Sequence, residues 1–240
     1  MVWIRKFFDV LFPRPCIGCG GRRLDDGEFL CGLCHDHVPF ILPPFCATCG
    51  QPGEMEYEYP TEDFECGLCR KNTYRFDRAR SLGVYGSVLK ELVHFFKYQS
   101  HPGAIGDITL LIEQNLKEIG ETYSGLEIIW VPLHRRKLKE RGFDQSYVLA
   151  DRLARLCCLP LVEGSLCRVR DTPPQARKTR AERMENVKGA FEVTCPERIA
   201  GRRLLVVDDV FTTGATVNEV AKVLKRAGAD RVEVFTLARA

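Results

Sequence analysis

RRLLVVDDVFTTGATVNEV, residues 202–220, is a strand, a loop and a helix written in order. The apolar run from Leu204 to Val207 reads as a buried strand over 203–207, with Asp208 and Asp209 at its carboxyl end. Thr212, Thr213, Gly214, Ala215 and Thr216 then lead into a helix over 215–227, which Gly228 ends. Ligands of α/β proteins bind outside the carboxyl ends of the sheet strands. Small and hydroxyl-bearing residues at a helix start expose N–H groups and side-chain donors, a cradle suited to a phosphate monoester. Two adjacent carboxylates beside that cradle suit the vicinal hydroxyls of a sugar. An ordinary βα turn accounts for an acidic pair or for a threonine cap, but not for the two in this order. The loop is not a P-loop, because the Gly-Lys-Ser/Thr signature is missing.

Upstream, the same alternation continues. Residues 79–85 and 127–133 read as strands, 88–98, 105–119 and 144–157 as helices, and 190–193 and 231–237 as further strands. This order predicts a parallel sheet covered by helices over residues 76–240. With 240 residues, 45% of them hydrophobic and 28% charged, the chain has enough material for one medium domain and a small one. That balance excludes a disordered or fibrous chain. No apolar run approaches the roughly 18 residues that a membrane-spanning helix needs. The start, MVWIRKFFDVLFPRP, is interrupted by Asp9 and Pro13, and no small-residue cleavage site follows, so a cytoplasmic location is expected. Trp3, Phe7, Phe8 and Leu11 have helical spacing and predict a short amphipathic helix that packs locally.

Residues 1–75 have a different character. Eight of the 12 cysteines lie there as four C-x-x-C pairs: Cys16/Cys19, Cys31/Cys34, Cys46/Cys49 and Cys66/Cys69. CIGCG followed by CGLC recurs as CATCG followed by CGLC, so the segment is two copies of one module. A C-x-x-C turn aims two sulfurs at one point, and two such turns complete a tetrahedral thiolate site. Glycines in and after the turns let backbone N–H groups point at the sulfurs. Disulfides would need an oxidising compartment, and a redox dithiol usually occurs once, beside a βαβ unit. Two structural zinc ions are expected, although iron fits the same spacing. Sequential pairing is expected, Cys16, Cys19, Cys31 and Cys34 on one ion and Cys46, Cys49, Cys66 and Cys69 on the other, with crossed ligation the alternative. A segment this small needs metal for much of its folding free energy.

Residues 1–75 carry 8 basic and 11 acidic side chains, whereas residues 134–188 carry 14 basic and 7 acidic ones. A field of that sign attracts phosphates, on a small molecule or along a nucleic acid, though a solvated surface of loosely paired charges is the ordinary meaning of such a run. If single-stranded DNA is bound, the basic stretch is the expected contact, with Phe143 and Tyr147 as weak stacking candidates that core packing would equally explain. The acidic ribbons would then dock a protein.

Residues 205–216 resemble the phosphoribosyl pyrophosphate (PRPP) motif of type I phosphoribosyltransferases. FKY at 96–98, VPLHRRKLKERGFDQS at 131–146 and the segment from Gln175 to Phe191, with RAERMENVKGAF, are similar to the ComF family of competence-associated proteins, which joins a double zinc ribbon to a phosphoribosyltransferase domain. The resemblance spans nearly the whole chain. It implies that Asp208 and Asp209 hold the ribose hydroxyls and that Thr212, Thr213, Gly214 and Thr216, with Ala215 between them, hold the 5′-phosphate. It makes Arg135 a candidate contact to pyrophosphate, with Lys97 and Arg141 as weaker candidates, and it implies magnesium with PRPP. Catalysis would transfer phosphoribose to a nitrogen nucleophile that the sequence does not name. The competing expectation is a zinc-ribbon adaptor that grips single-stranded DNA or a helicase in DNA uptake; PRPP sensing without turnover is a third. The sequence departs from the family in Asp144, where Asn is common, and in Arg177-Lys178, which replace a small residue and a leucine.

Overall fold

The computed structural model describes residues 15–21, 29–53, 64–71, 74–98, 104–116, 123–172 and 179–240. The expected N-terminal helix and the Arg177-Lys178 pair lie outside them. Two short helices, α1 (Gly32–Asp36) and α2 (Gly67–Lys71), belong to the cysteine-rich modules. The rest follows the order β1 (Arg78–Val84), α3 (Ser87–Tyr98), α4 (Ile105–Gln114), β2 (Glu127–Trp130), α5 (Arg135–Arg141), α6 (Gln145–Cys157), β3 (Leu166–Arg168), α7 (Arg180–Val187), β4 (Phe191–Val193), β5 (Arg203–Phe211), α8 (Ala215–Arg226) and β6 (Arg231–Arg239).

Four strands form a parallel sheet in the order β1-β6-β5-β2. The sheet is buried on both faces, as parallel strands require. Leu205 and Val207 point to one face, where they share a core with Leu92 and Phe96 of α3, Ile108 and Leu149. Leu204 and Val206 point to the other, where they meet Val217, Val220 and Leu224 of α8. α6, the second helix after β2, therefore covers one face and α8, the helix that follows β5, covers the opposite one. In open α/β sheets the crevice outside the carboxyl ends of adjacent strands whose helices go to opposite faces is where ligands bind.

Several elements differ from expectation. β5 runs to Phe211, so Asp208 and Asp209 are its sixth and seventh residues and are held by strand pairing (Asp208 opposite Thr236) instead of standing beyond its end. β2 stops at Trp130, because Pro132 cannot donate to a ladder. The helix expected over 105–119 is assigned as Ile105–Gln114. The strand at 190–193 is β4, which pairs antiparallel with β3 in a separate hairpin and does not join the parallel sheet.

The cysteine modules pack against this sheet. Ile41 N donates to Leu82 O at 3.0 Å and Ala79 N to Thr48 O at 2.8 Å, so each module is tied to β1. The fully buried carboxylate of Asp107, on α4, accepts from Phe29 N at 2.9 Å and Leu30 N at 3.0 Å, and lies 3.1 Å from His35 Nε2. No helix among the described residues is long and apolar enough to cross a membrane.

Candidate phosphate-binding site and metal centres

Asp208 and Asp209 stand in the carboxyl-terminal half of β5, against the start of α6 and the end of α3. Asp208 Oδ1 accepts from the Asp209 backbone N–H at 2.9 Å and from Ser146 Oγ at 3.0 Å. Asp209 meets Lys97 Nζ at 2.9 Å and accepts from Gln145 Nε2 at 3.2 Å; Arg141 in turn donates to Gln145. The structure thus brings Lys97, at the end of α3, directly to the acidic pair, and brings Arg141 there through one intermediary. Burial, and then the neighbouring charge of Asp209, push the Asp208 carboxyl up to about 7, against the opposing effect of Lys97.

Ser146 and Gln145 are held in place by the residue before them. Asp144 caps α6: one carboxylate oxygen accepts from Ser146 N at 3.1 Å and Tyr147 N at 3.2 Å, and the other from Leu133 N at 2.9 Å. An asparagine has only one acceptor oxygen and cannot serve both sides. The departure from the family pattern is therefore a device that ties the loop after β2 to the start of α6.

The loop from Thr212 to Ala215 crosses from β5 to α8. Gly214 has φ +75°, and a Cβ there would lie 2.6 Å from Phe211 Cζ and 3.1 Å from Tyr74 Cε1, so no other residue fits without displacement. Thr213 Oγ1 accepts from Ala215 N at 3.4 Å, and Thr213 O accepts from Tyr74 OH at 3.3 Å. Tyr74 OH accepts from Arg180 at 2.7 Å. α8 starts directly after this loop, and an anion at such a helix start gains both hydrogen bonds and the helix dipole.

Arg135 is the first residue of α5 and is exposed; the structure does not bring it into contact with the acidic pair. Its neighbours are engaged: Arg136 pairs with Glu140 at 2.9 Å and Asp171 at 3.5 Å, and Lys137 donates to Thr172 O at 2.9 Å. Arg168, on β3, lies in the field of Asp208, stacks 5.4 Å from the Phe191 ring and keeps a buried Nε without a hydrogen-bond partner among the described residues. Sequence reading missed Tyr74, Ser146 and Arg168. Tyr74 lies 139 residues from its loop partner, beyond any local pattern. Ser146 could have been found as the residue after the Asp144-Gln145 helix start.

The cysteines assemble in sequential pairs. Cys16, Cys19, Cys31 and Cys34 form one cluster and Cys46, Cys49, Cys66 and Cys69 the other, with all sulfurs of a cluster within 4.8 Å of one another. Cys19 and Cys31 sulfurs are 3.8 Å apart and Cys49 and Cys66 sulfurs 3.7 Å apart. A disulfide would place them at about 2.05 Å. The edge of a tetrahedron with Zn–S bonds of about 2.3 Å is about 3.8 Å, so the clusters have the dimensions of tetrathiolate zinc sites. Backbone N–H groups of Gly18 and Cys31 reach Cys16 Sγ at 3.4 and 3.3 Å, and Cys66 N reaches Cys46 Sγ at 3.3 Å. These donors stabilise thiolates. In the second cluster all four cysteines are buried, and Arg239 donates to Cys49 Sγ at 3.3 Å and Cys49 O at 2.7 Å.

Residues 7–70 match the family model of a double zinc ribbon domain, and residues 144–240 that of a phosphoribosyl transferase domain. Competence protein F of Haemophilus influenzae is 30% identical over 233 residues, 95% of this chain and 98% of that protein. DNA utilization protein YhgH of Escherichia coli K12 is 31% identical over 198 residues, 81% of this chain and 83% of that protein. Competence protein ComFC of Streptococcus pneumoniae is 29% identical over 220 residues, 90% of each chain. Among solved structures, the glutamine PRPP amidotransferase of B. subtilis aligns over 60% of this chain and 30% of its own, at 22% identity and a TM-score of 0.38.

Proposed function

This chain belongs to the ComF family, a double zinc ribbon joined to a phosphoribosyltransferase domain, and from that premise we propose that the crevice binds PRPP with magnesium. The observation that carries the reading is the continuity of the acidic pair, the Thr212–Thr216 loop and the start of α8 at the point where flanking helices diverge. In this reading Asp208 and Asp209 take the ribose hydroxyls, and the loop and the N–H groups of α8 take the 5′-phosphate. Arg135 and the nearby cations Lys137 and Arg168 supply positive charge for the pyrophosphate. The carboxylates and phosphate oxygens are the hard oxygen donors that magnesium prefers, and the ion would act there as Lewis acid and template. Ser146 and Gln145 orient the two carboxylates. Lys97 pairs with Asp209 at 2.9 Å and exchanges that contact for ligand hydroxyls.

Turnover would form a bond from a nitrogen nucleophile to carbon 1 of the ribose and break the bond from carbon 1 to pyrophosphate. The chain's part is positioning and charge stabilisation. Reduced cysteines and a nucleotide-type ligand fit a cytoplasmic setting. Calorimetric titration of PRPP with magnesium into zinc-loaded protein is the test. Micromolar binding, lost when Asp208 and Asp209 are both changed to Asn, supports the reading; no binding to folded wild type overturns it. Release of pyrophosphate in the presence of candidate amines then separates an enzyme from a sensor.

The relatives are named for competence and DNA utilization, and the basic surface of this chain supports a second reading, an adaptor for single-stranded DNA or a helicase in DNA uptake. Exposed Arg135, Arg136, Lys139 and Arg170, and half-exposed Tyr147 beside Trp130, are the surface such a strand would use. A steep fall of oligonucleotide affinity with salt, unaffected by the Asp208/Asp209 double change, is its signature.

A further inference from the structure

The second cysteine cluster and the phosphate loop share a single buried packing unit. Arg239, at the end of β6, joins them: it donates to the sulfur and carbonyl oxygen of Cys49, and its guanidinium stacks 4.5 Å above the Phe211 ring. Phe211 is 1% exposed and its Cζ is the atom that a Cβ at Gly214 would strike. Phe76 and Tyr74 meet the Phe211 ring edge-on at 6.0 and 6.4 Å, and Tyr74 also bonds the carbonyl of Thr213. Only two side chains therefore separate a metal ligand from the residue whose left-handed backbone shapes the loop.

We propose that metal occupancy of the second cluster sets the geometry of the phosphate loop, with Arg239 and Phe211 as positioning residues; the proposal rests on the reading of that loop as a PRPP site. Zinc with four thiolates is a doubly negative centre, and a buried guanidinium in contact with one sulfur is strongly favoured beside it. Without metal nothing fixes the Cys49 sulfur at the position where Arg239 meets it. Arg239, seated by the sulfur and the carbonyl oxygen of Cys49, then loses a fixed partner and shifts. Because the ring of Phe211 is clamped between Arg239 and Gly214, that movement is transmitted to the loop. Close-packed interiors pass on such shifts because they have no free volume to absorb them. Among the described residues the first cluster has no such link: it is tied to Asp107 on α4, on the opposite face of the sheet.

Coupling between two sites is reciprocal, so ligand at the loop must hold metal in the second cluster by the same factor that metal favours ligand. The two clusters can be separated kinetically, since Cys19 of the first is exposed and the second is wholly buried. Zinc loss to a chromogenic chelator is expected in a fast and a slow phase. With saturating PRPP and magnesium, the slow phase is expected to slow on the order of tenfold and the fast phase to stay as it was. Arg239→Gln, which keeps a hydrogen-bonding group but not the charge, is expected to bind two zinc ions per chain yet take PRPP on the order of tenfold more weakly. If wild type binds PRPP but both zinc phases ignore it, and Arg239→Gln binds as wild type does, the coupling is overturned while the PRPP site stands. If wild type does not bind PRPP, the reading of the loop fails and the proposal with it. The chelation measurement needs no variant, so a folding defect in Arg239→Gln leaves the question decidable.

Discussion

At the scale of single residues, Asp208 carries the clearest consequence. Its carboxyl is raised from an ordinary 3.8 to about 7 by burial and by Asp209. The folded chain then keeps this proton to higher pH than the unfolded chain does. The stabilisation it confers is complete below the unfolded value and is lost as the pH rises through about 7. Thermal unfolding between pH 4 and 8 is expected to show this decline, and Asp208→Asn to flatten it. Ligand binding has the opposite sign, because ribose hydroxyls and magnesium need the ionised form. PRPP affinity measured by calorimetry is expected to rise from pH 6 to 8, by up to about tenfold per unit on the acid side of 7. Gly214→Ala forces a side chain into a φ of +75° and against Phe211, at a cost of about 1–3 kcal/mol and with a larger loss in PRPP affinity than in stability.

At the scale of elements, the start of α6 is where backbone capping and site chemistry coincide. Asp144→Ala removes acceptors for three N–H groups and is expected to lower stability by about 1–2 kcal/mol, read from denaturant midpoints. Asp144→Asn is expected to fall between Ala and wild type, since one of its two sides stays satisfied. The unit β5-loop-α8 was legible before any coordinates because an apolar run, an acidic pair and a hydroxyl-rich helix start follow one another without a break. The elements that escaped notice are those with little apolar content. In α5, RRKLKER, only Leu138 is apolar, so periodicity has nothing to register, although its stop at Gly142 (φ +81°) was written in the sequence. In α7, RAERMENV, the usable signal was the capping box formed by Thr179 and Glu182. β3 is three residues long and exists only by pairing with β4. Strand order was not legible either, because β1 finds its partner β6 through contacts 155 residues apart.

At the scale of the whole molecule, the ribbons are parts of the phosphoribosyltransferase-type core and not appendages. Asp107→Asn turns one of the two carboxylate oxygens into a donor that faces backbone N–H groups or His35. A loss of about 1–3 kcal/mol is expected, with faster zinc release from the first cluster and not from the second. The attachment of both modules to β1 bears also on how the chain is made. All eight metal ligands are translated before β1, whereas its sheet partner comes last. At about 5–20 residues per second, β1 waits on the order of ten seconds for β6 to leave the ribosome. Throughout that interval an unpaired strand would offer its edges to neighbouring chains. The modules reduce this: residues 39–48 bond to β1 through Gly83, Leu82 and Ala79, so a zinc-loaded nascent chain covers one edge of its own first strand. A cell short of zinc would therefore lose this protein during synthesis, to aggregation, sooner than from the pool already folded.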